Sequence, residues 1–330
     1  MEIGSFIRLD LKDTGEYYKE GTNIARLNIG RAGIFHACRL YNCKSVYLPY
    51  YLCPTVKRFL FKNDMKVKFY SINDKFEPSD LMQEPDHAVL LVNYFGILSG
   101  TKMKKIANRF SNIILDNSAG FYSHPISGCF NVYSHRKFFG VPDGSYVIGD
   151  NAELYTSEYS QDYSSDTSSF LLKRIEYGLN LTYAERMKNE ERIDNSGILR
   201  MSNLTNLLLK NIDYLYIKTK RQKNFHFAHS LFKEINRIEP TTDMDNECVP
   251  MVYPLVIENV DLNERLKEKK IFTGRWWNHV LFEVSDISFE AWLSKYMIPV
   301  PIDQRYGEQE ILYVFNVIID ILSHGCQNRL

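Results

Sequence analysis

Three residues, a carboxylate, a hydroxyl and an amine, form a set that could carry out covalent chemistry. Asp116 ends the apolar run NIILD, and a carboxylate in that position can hold a protonated pyridinium nitrogen. Lys137 follows the next apolar run, where its amine can form a Schiff base with a carbonyl cofactor. Ser134, three residues before the lysine, can donate to a phosphate. Such spacing is common, so a surface lysine and a loop-capping aspartate are the alternative.

These residues lie among apolar runs of strand length. Runs buried on both faces, as in a parallel sheet, are predicted at HAVLLVNYFG (87–96) and NIILDNSAG (112–120). Further strands are predicted at 45–51, 65–72, 129–135 and 144–150. Helices are predicted from Gly30 to about residue 44, and over 54–63, 79–83 (SDLMQ) and 101–110. This alternation favours a doubly wound α/β domain, in which ligands bind at the carboxyl ends of the strands.

The second half of the chain has a different character. Residues 151–170 are polar and rich in Ser, Tyr and Asp, which indicates a surface excursion or a linker. The pattern is then helical to about residue 237, with one long helix or two in series towards its end. Strands at 249–257 and 296–302 alternate with helices at 262–270, 290–297 and 307–325. We therefore predict a large α/β domain over 1–235 and a small α+β domain over 236–330.

Composition excludes several classes of protein. The 330 residues contain 40 Lys plus Arg and 40 Asp plus Glu, so no dominant attraction to nucleic acid is expected. The longest apolar runs are too short to span a membrane. The six cysteines form no CxxC pair and HFAH (226–229) has no acidic or Cys partner nearby, so no metal site is predicted. A reduced, cytoplasmic compartment is the expectation.

Several segments together resemble the DegT/DnrJ/StrS sugar aminotransferases, which are fold-type I enzymes dependent on pyridoxal 5'-phosphate (PLP). The most specific is NVYSHRKFFGVPDGSYVI (131–148), which is similar to a branch of that family with S-x-R-K followed by a PDGG-like turn. Modest matches in family order are NIGRAGIF, VYLPYYLCPTV, LVNYFG, ILDNSAGFY and IPVPIDQRY. Together they extend from about residue 20 to about residue 320.

The resemblance implies a fold and a set of cofactor contacts. The fold would be a large, mostly parallel sheet domain that carries PLP, with a small C-terminal α+β domain. Lys137 would form the Schiff base and shuttle the proton, while Asp116 would pair with the pyridine nitrogen and Ser134 with the phosphate. The backbone amides of Gly30, Arg31 and Ala32, at a helix N-terminus, would also bind the phosphate. The side chain of Arg31 could add a direct contact to it.

Other candidates are open between a site role and a packing role. The aromatic neighbour of the cofactor ring would be Tyr51, or Cys53 in a strict register, and core packing explains Tyr51 equally well. Asn93 is a candidate for the ring oxygen. Candidate substrate contacts are Tyr94, the GRWW residues Arg275 and Trp276, and the DQRYG residues Arg305 and Tyr306. Packing of the small domain explains GRWW at least as well.

The implied reaction moves an amino group from an amino acid, expected to be glutamate, to a nucleotide-linked keto sugar. The resemblance also implies that the enzyme is a homodimer. Two positions depart from the family: Ala119 stands where many members carry Gln, and Ser145 replaces the second glycine of the turn. A related branch of the family consists of dehydratases and carries His in place of this lysine. The lysine at position 137 therefore favours transamination over dehydration. The alternatives are a PLP enzyme with another acceptor or reaction, and a non-catalytic PLP-binding regulatory or assembly protein. A nucleotide-binding α/β protein is disfavoured because GxGxxG and P-loop motifs are missing.

Overall fold

The computed structural model describes residues 3–18 and 23–325, and a seven-stranded sheet forms its centre. Its strands are β1 (Ile24–Leu27), β2 (Ser45–Pro49), β3 (Lys66–Tyr70), β4 (His87–Val92), β5 (Ile113–Asp116), β6 (Phe130–Ser134) and β7 (Ser145–Ile148). The order across the sheet is β1-β7-β6-β5-β4-β2-β3. Strand β7 is antiparallel to β1 and β6, and the other pairs are parallel. The predicted, mostly parallel α/β sheet is confirmed.

Helices surround this sheet, and a second, smaller sheet follows it. The α-helices are α1 (Gly30–Leu40), α2 (Pro54–Lys62), α3 (Gly100–Ala107), α4 (Ser169–Tyr177), α5 (Tyr183–Asn195), α6 (Asn203–Leu209), α7 (Tyr214–Phe232), α8 (Leu262–Glu268), α9 (Phe289–Tyr296) and α10 (Glu308–Gly325). The second sheet pairs β8 (Val252–Val256) antiparallel with β9 (Met297–Pro301). Helices α6 and α7 are the two helices in series that the sequence predicts. Among the residues described, no helix is both long and apolar enough to cross a membrane.

One face of the large sheet is covered by a single apolar cluster, and the opposite face by two, one over β2–β5 and one over β1, β6 and β7. Along β4 the side chains alternate, so that Leu90 joins the cluster under α1 while Leu91 joins the cluster over β2–β5 on the opposite face. This cluster over β2–β5, which we call the shared core, continues without a break into the C-terminal part of the chain. It includes Leu115 of β5, Tyr253 of β8 and Ile318 of α10. The boundary predicted at 235/236 stays a prediction, but apolar packing crosses it.

One expected element is wrong, and one strand was not expected. Residues 79–83 form no helix, because Ser79 donates its backbone N–H to the carbonyl of Ser71 and Ile72 forms a bridge with Pro78. Five residues are also too few to offset the cost of starting a helix. Strand β1 was not expected, since its four residues read as the approach to α1. Its pairing is with β7, far away in the chain, so no local pattern predicts it.

Strand β4 ends earlier than the apolar run over 87–96 suggests. After Val92 the chain forms a 3₁₀ turn over Tyr94–Gly96, in which Phe95 and Gly96 have φ of 58° and 78°. A Cβ atom on Gly96 would lie 2.2 Å from the carbonyl oxygen of Ala119. Glycine at position 96 is therefore required both by the backbone conformation and by the close approach of the loop after β5.

His135 is a fully buried histidine that directly follows β6. Its ring centre lies 4.1 Å from that of Tyr146 and 5.5 Å from that of Phe121. Neither ring nitrogen has a hydrogen-bond partner among the described residues. Burial lowers the pKa of His135 to about 4, so the imidazole is neutral in the folded protein at neutral pH.

We expect His135 to make the folded state less stable in mild acid. In the unfolded chain the imidazole gains a proton below about pH 6.5, whereas the folded chain resists this until about pH 4. Stability is therefore lost as the pH falls through that window, by about 2 kcal/mol at pH 5 for this residue. Urea unfolding at pH 8 and pH 5 should show a smaller loss for His135→Phe than for the wild type.

The exposed His124 provides the matched control, because His124→Phe should leave the wild-type pH dependence unchanged. His36, whose pKa burial also lowers, contributes equally to all three proteins. If His135→Phe loses as much stability at pH 5 as the wild type does, the buried imidazole is not the source of the acid sensitivity.

Candidate functional site

Three adjacent parallel strands bring their carboxyl ends to one edge of the large sheet. Val92 of β4 lies opposite Asp116 of β5, which in turn lies opposite Val132 of β6. Beyond these pairs, the N–H of Asn93 donates to the carbonyl of Asp116 at 3.0 Å, which extends the pairing by one residue. The polar residues that follow the three strands are therefore neighbours, as the sequence predicts for a parallel sheet.

The N-terminus of α1 and two serines form a small polar cup at this edge. Residue Ile29 precedes α1 and provides no capping side chain, and the first turn contains no acidic residue. A Cβ atom on Gly30 would lie 3.4 Å from Oγ of Ser118 and 3.7 Å from Cβ of Ser134. The first N–H groups of a helix have no acceptor within the helix. Together with two hydroxyls they make a cup that fits a phosphate group.

Asp116 is the acidic group of this edge. Its side chain is 6% exposed, and one carboxylate oxygen accepts a hydrogen bond from the backbone N–H of Ser118 at 2.9 Å. Within the described ranges, no lysine, arginine or histidine forms an ion pair with it. A buried carboxylate with this coordination can accept a hydrogen bond from a cationic ring nitrogen.

Lys137 lies in a 3₁₀ turn that follows β6 without a gap, and its side chain is exposed to solvent. It lines a cavity of about 290 Å³ whose wall is strongly basic. Six basic and two acidic side chains face this arginine cavity: Arg136, Lys137, Arg174, Arg186, Arg221, Arg305, Glu190 and Asp303. The lining does not include Gly30, Asp116 or Ser134. The strand-end cup and the arginine cavity therefore have different lining residues, and along the chain only His135 and Arg136 lie between Ser134 of the cup and Lys137 of the cavity.

Burial and mutual repulsion affect the arginines of the cavity. Arg221 is 2% exposed, and burial lowers its pKa to about 10. Its guanidinium lies 4.4 Å from the centre of the Phe138 ring and donates to the carbonyl of Met251 and to Oε1 of Gln304. Burial, with the nearby charge of Arg305, also lowers the pKa of Arg174. These cations gain from the arrival of an anion.

Only some of these arginines are paired with a carboxylate. Arg305 donates twice to Asp303, and this hydrogen bonding raises the pKa of Arg305. Arg136 donates to Glu190. Arg174 has no carboxylate within ion-pairing distance in the part of the chain that the structure describes. Lys137 and Arg221 also form no ion pair among the described residues, but Arg221 already donates to Gln304 and Met251. Arg174 is therefore a cavity arginine that can bind an incoming anion.

The aromatic candidates lie together, but away from the cavity. Tyr51 is completely buried and donates its hydroxyl to the carbonyl of Trp276 at 2.7 Å, while Tyr94 donates to the carbonyl of Tyr51 at 2.8 Å. These bonds join the end of β2 to the GRWW segment. The sulfur of Cys53 lies 3.1 Å from Oγ1 of Thr55, at the start of α2. Cofactor or substrate roles for these residues stay predictions.

Some polar candidates already have partners. The side chain of Asn93 donates to Asn117 and Ser123 and accepts from the N–H of Leu98. Arg275 donates to the carbonyl of Val260. Tyr306 lies beside Arg305, with 5.1 Å between the guanidinium carbon and the ring centre. Of the predicted substrate contacts, Arg305 faces the arginine cavity, whereas Arg275 does not.

Arg31 requires a correction. Its guanidinium donates to the carbonyl of Ile193 at 2.8 Å and to the carboxylate of Asp194 at 2.9 Å. The expected direct contact from this side chain to a phosphate is therefore replaced by an ion pair with α5. The backbone amides of Gly30, Arg31 and Ala32 stay predicted phosphate ligands.

The sequence interpretation missed two kinds of residue. Ser118 could have been found, because it is a hydroxyl residue that follows Asp116 by only two positions at the same strand end. Arg174, Arg186 and Arg221 could not, because they come from three helices in a segment without any motif. Ala119, at the position of the family glutamine, is buried against Gly96.

Comparison with known proteins supports the fold. No protein-family model and no curated protein sequence matches the chain. Solved structures with the same fold include the sugar aminotransferase CalS13 from Micromonospora echinospora, at 15% identity and a TM-score of 0.65, covering 90% of this chain and 87% of that one. A DegT/DnrJ/EryC1/StrS aminotransferase from Brucella abortus aligns at 14% identity and 0.60, covering 90% and 85%.

A third structure contains a cofactor. NtdA from Bacillus subtilis, solved with bound pyridoxamine phosphate (PMP), aligns at 13% identity with a TM-score of 0.63, covering 91% of this chain and 73% of that one. All three comparisons extend over both the large sheet and the C-terminal part of the chain. The chain therefore has the fold of the fold-type I, PLP-dependent aminotransferases.

Proposed function

We propose that the protein is a PLP-dependent aminotransferase. The observation that carries the proposal is the buried Asp116 carboxylate, which has no cationic partner among the described residues, beside the cup formed by Gly30, Ser118 and Ser134. A pyridine nitrogen and a phosphate are the two polar ends of PLP, and this edge of the sheet offers one group for each. Lys137 follows the cup by three residues.

Each residue has a distinct task in this proposal. The amides of α1 and the hydroxyls of Ser118 and Ser134 hold the phosphate, and Asp116 keeps the ring nitrogen protonated. The bound cofactor supplies an electron sink for the cleavage of a C–H bond. The Nζ atom of Lys137 would take the proton from the α-carbon of the amino donor and return it two atoms further along, on the other side of the nitrogen. With one water supplying the keto oxygen, the donor would leave as a keto acid while its amino group stays behind, and a keto acceptor would take up that amino group by the reverse steps, with release of one water.

The arginine cavity supports an anionic acceptor. Six basic side chains against two acidic ones are far more than one carboxylate requires, and a diphosphate carries enough charge to engage several of them. We propose a nucleotide-linked keto sugar as acceptor and glutamate as donor; the sugar is supported by CalS13, a sugar aminotransferase with the same fold. The alternatives are a PLP enzyme with a different acceptor or reaction, and a protein that binds PLP without catalysis. Both would use Asp116 and Lys137 to bind the cofactor in the same way.

We also propose that a second copy of the chain covers α4 and the segment after it. Helix α4 has no buried residue, and it lines the arginine cavity with Leu171 and Arg174. Large apolar side chains are exposed on and beside it: Leu172 69%, Ile175 82%, Tyr177 60% and Leu181 76%. An apolar patch of this kind next to a ligand cavity is typical of an interface.

Borohydride trapping tests the cofactor and its lysine. The wild type, mixed with PLP and reduced, should carry one covalent adduct on Lys137, identified by peptide mass spectrometry, and the visible band should disappear. Lys137→Ala should lose the band and the adduct, whereas Lys104→Ala, on the exposed face of α3, should behave as the wild type. A wild type without band or adduct would refute the proposal. A stable adduct without product from any amino donor would indicate a binding protein.

Pyrophosphate tests the arginine cavity without the cofactor. We expect Arg174→Gln to weaken pyrophosphate binding about tenfold in calorimetric titrations, because it removes a charge-assisted contact that no carboxylate already occupies. Lys173→Gln is the matched control, since Lys173 is the next residue but pairs with Glu185. Equal affinities for the wild type and Arg174→Gln would place the anion elsewhere.

Sedimentation tests the dimer. The wild type should sediment as a dimer, and Ile175→Asp should shift it towards the monomer by placing a charge in the buried interface. Ile287→Asp, at a residue that is 95% exposed outside this patch, should leave the dimer intact. A monomeric wild type would contradict the proposed interface.

A further inference from the structure

Helix α5 is held in place mainly by polar contacts. Of its thirteen residues only Asn189 and Ile193 are buried, and the helix has no continuous apolar face. The inward-facing groups nevertheless reach two separate parts of the candidate site. One set contacts the turn that carries Lys137, and the other contacts the N-terminus of α1.

The middle of α5 holds the Lys137 turn from outside. Glu190 accepts a hydrogen bond from Arg136, the residue directly before Lys137. Asn189 donates to the carbonyl of Pro142 at 2.8 Å, on the far side of the same turn. Both Arg136 and Glu190 are largely shielded from solvent, at 23% and 27% side-chain exposure, which strengthens the pair relative to one in open solvent.

The last turn of α5 holds the phosphate cup. Ile193 packs in one small apolar cluster with Ile29 and Ala32, the residues on either side of the start of α1. Asp194 forms its ion pair with Arg31 in the first turn of α1. Because Glu190 and Asp194 are four residues apart on one helix, they lie one turn apart and on the same side of α5.

We propose that α5 sets the position of Lys137 relative to the phosphate cup, with Glu190 and Asp194 as its two positioning residues. Glu190 fixes Arg136 and thereby the turn that carries the amine, while Asp194 fixes the start of α1. The proposal rests on the proposed function, because it assumes that the Lys137 turn and the phosphate cup bind the same cofactor. In this proposal each carboxylate acts through an arginine, Glu190 through Arg136 and Asp194 through Arg31, and neither is a ligand of the cofactor.

The two roles can be separated with two forms of the cofactor. PLP has an aldehyde that condenses with Nζ of Lys137 with loss of one water, whereas PMP carries an amine and cannot bond to the lysine. Both share the ring and the phosphate. A change in the Lys137 turn alone should therefore affect PLP, and a change in the cup should affect both.

The experiment measures dissociation constants of PLP and PMP by fluorescence titration. We expect Glu190→Gln to raise the dissociation constant of PLP about fivefold, which corresponds to about 1 kcal/mol. The dissociation constant of PMP should change less than twofold. Asp194→Asn should raise the dissociation constants of PLP and PMP by the same factor. Glu191→Gln, at the exposed neighbouring residue, should change neither.

A double-mutant cycle identifies the partner of Glu190. If Glu190 acts through Arg136, the variant with both Arg136→Gln and Glu190→Gln should bind PLP no more weakly than the weaker single variant. Equal losses of PLP and PMP in Glu190→Gln, or no loss of either, would overturn the positioning role. A wild type that binds neither cofactor would instead refute the proposed function itself.

Discussion

A carboxylate buried at the end of a central strand, Asp116, is the constraint on which the rest of the site depends. An ionised carboxylate removed from water is costly unless it is hydrogen-bonded or meets a cation. Here it receives one backbone N–H from Ser118, and no basic side chain in the described part of the chain pairs with it. The parallel neighbours of β5 fix its direction, and the contact between Gly96 and Ala119 fixes the loop behind it. The proposed cofactor nitrogen would supply the missing positive charge.

The candidate site has two regions that attract anions, and the attraction arises from different physics in each. At the start of α1 the charge of Arg31 is paired with Asp194, so the attraction for anions comes from the aligned backbone N–H groups and acts over one turn. The arginine cavity has formal charges, which Glu190 and Asp303 offset only in part. The first region suits a group held permanently, and the second suits a ligand that must come and go. Salt should screen the second region more strongly than the first, because the cavity opens to solvent.

Sequence reasoning succeeded where the signal is local. The ends of β5 and β6 could be predicted, because apolar runs of four to six residues stop at Asp116 and Ser134, and Gly30 marks the start of α1. It failed where the deciding contact is distant in the chain. Strand β1 depends on β7, the guanidinium of Arg31 turns to Asp194, and Arg174 and Arg221 reach the cavity from helices that no motif connects. Pairing and charge placement of this kind depend on tertiary packing, which residue patterns do not encode.

The shared core has a consequence for how the chain can come apart. Leu91 and Leu115 of the large sheet are packed in the same cluster as Tyr253, Val300 and Ile318 of the C-terminal part. Removal of the residues after 235 would therefore leave the part of that face formed by β2, β4 and β5 without much of its apolar cover. Melting is then expected to be cooperative across both sheets rather than stepwise. The C-terminal part is accordingly an integral layer of the molecule. It could not be exchanged for that of a related protein unless the sheet residues that pack against it were redesigned as well.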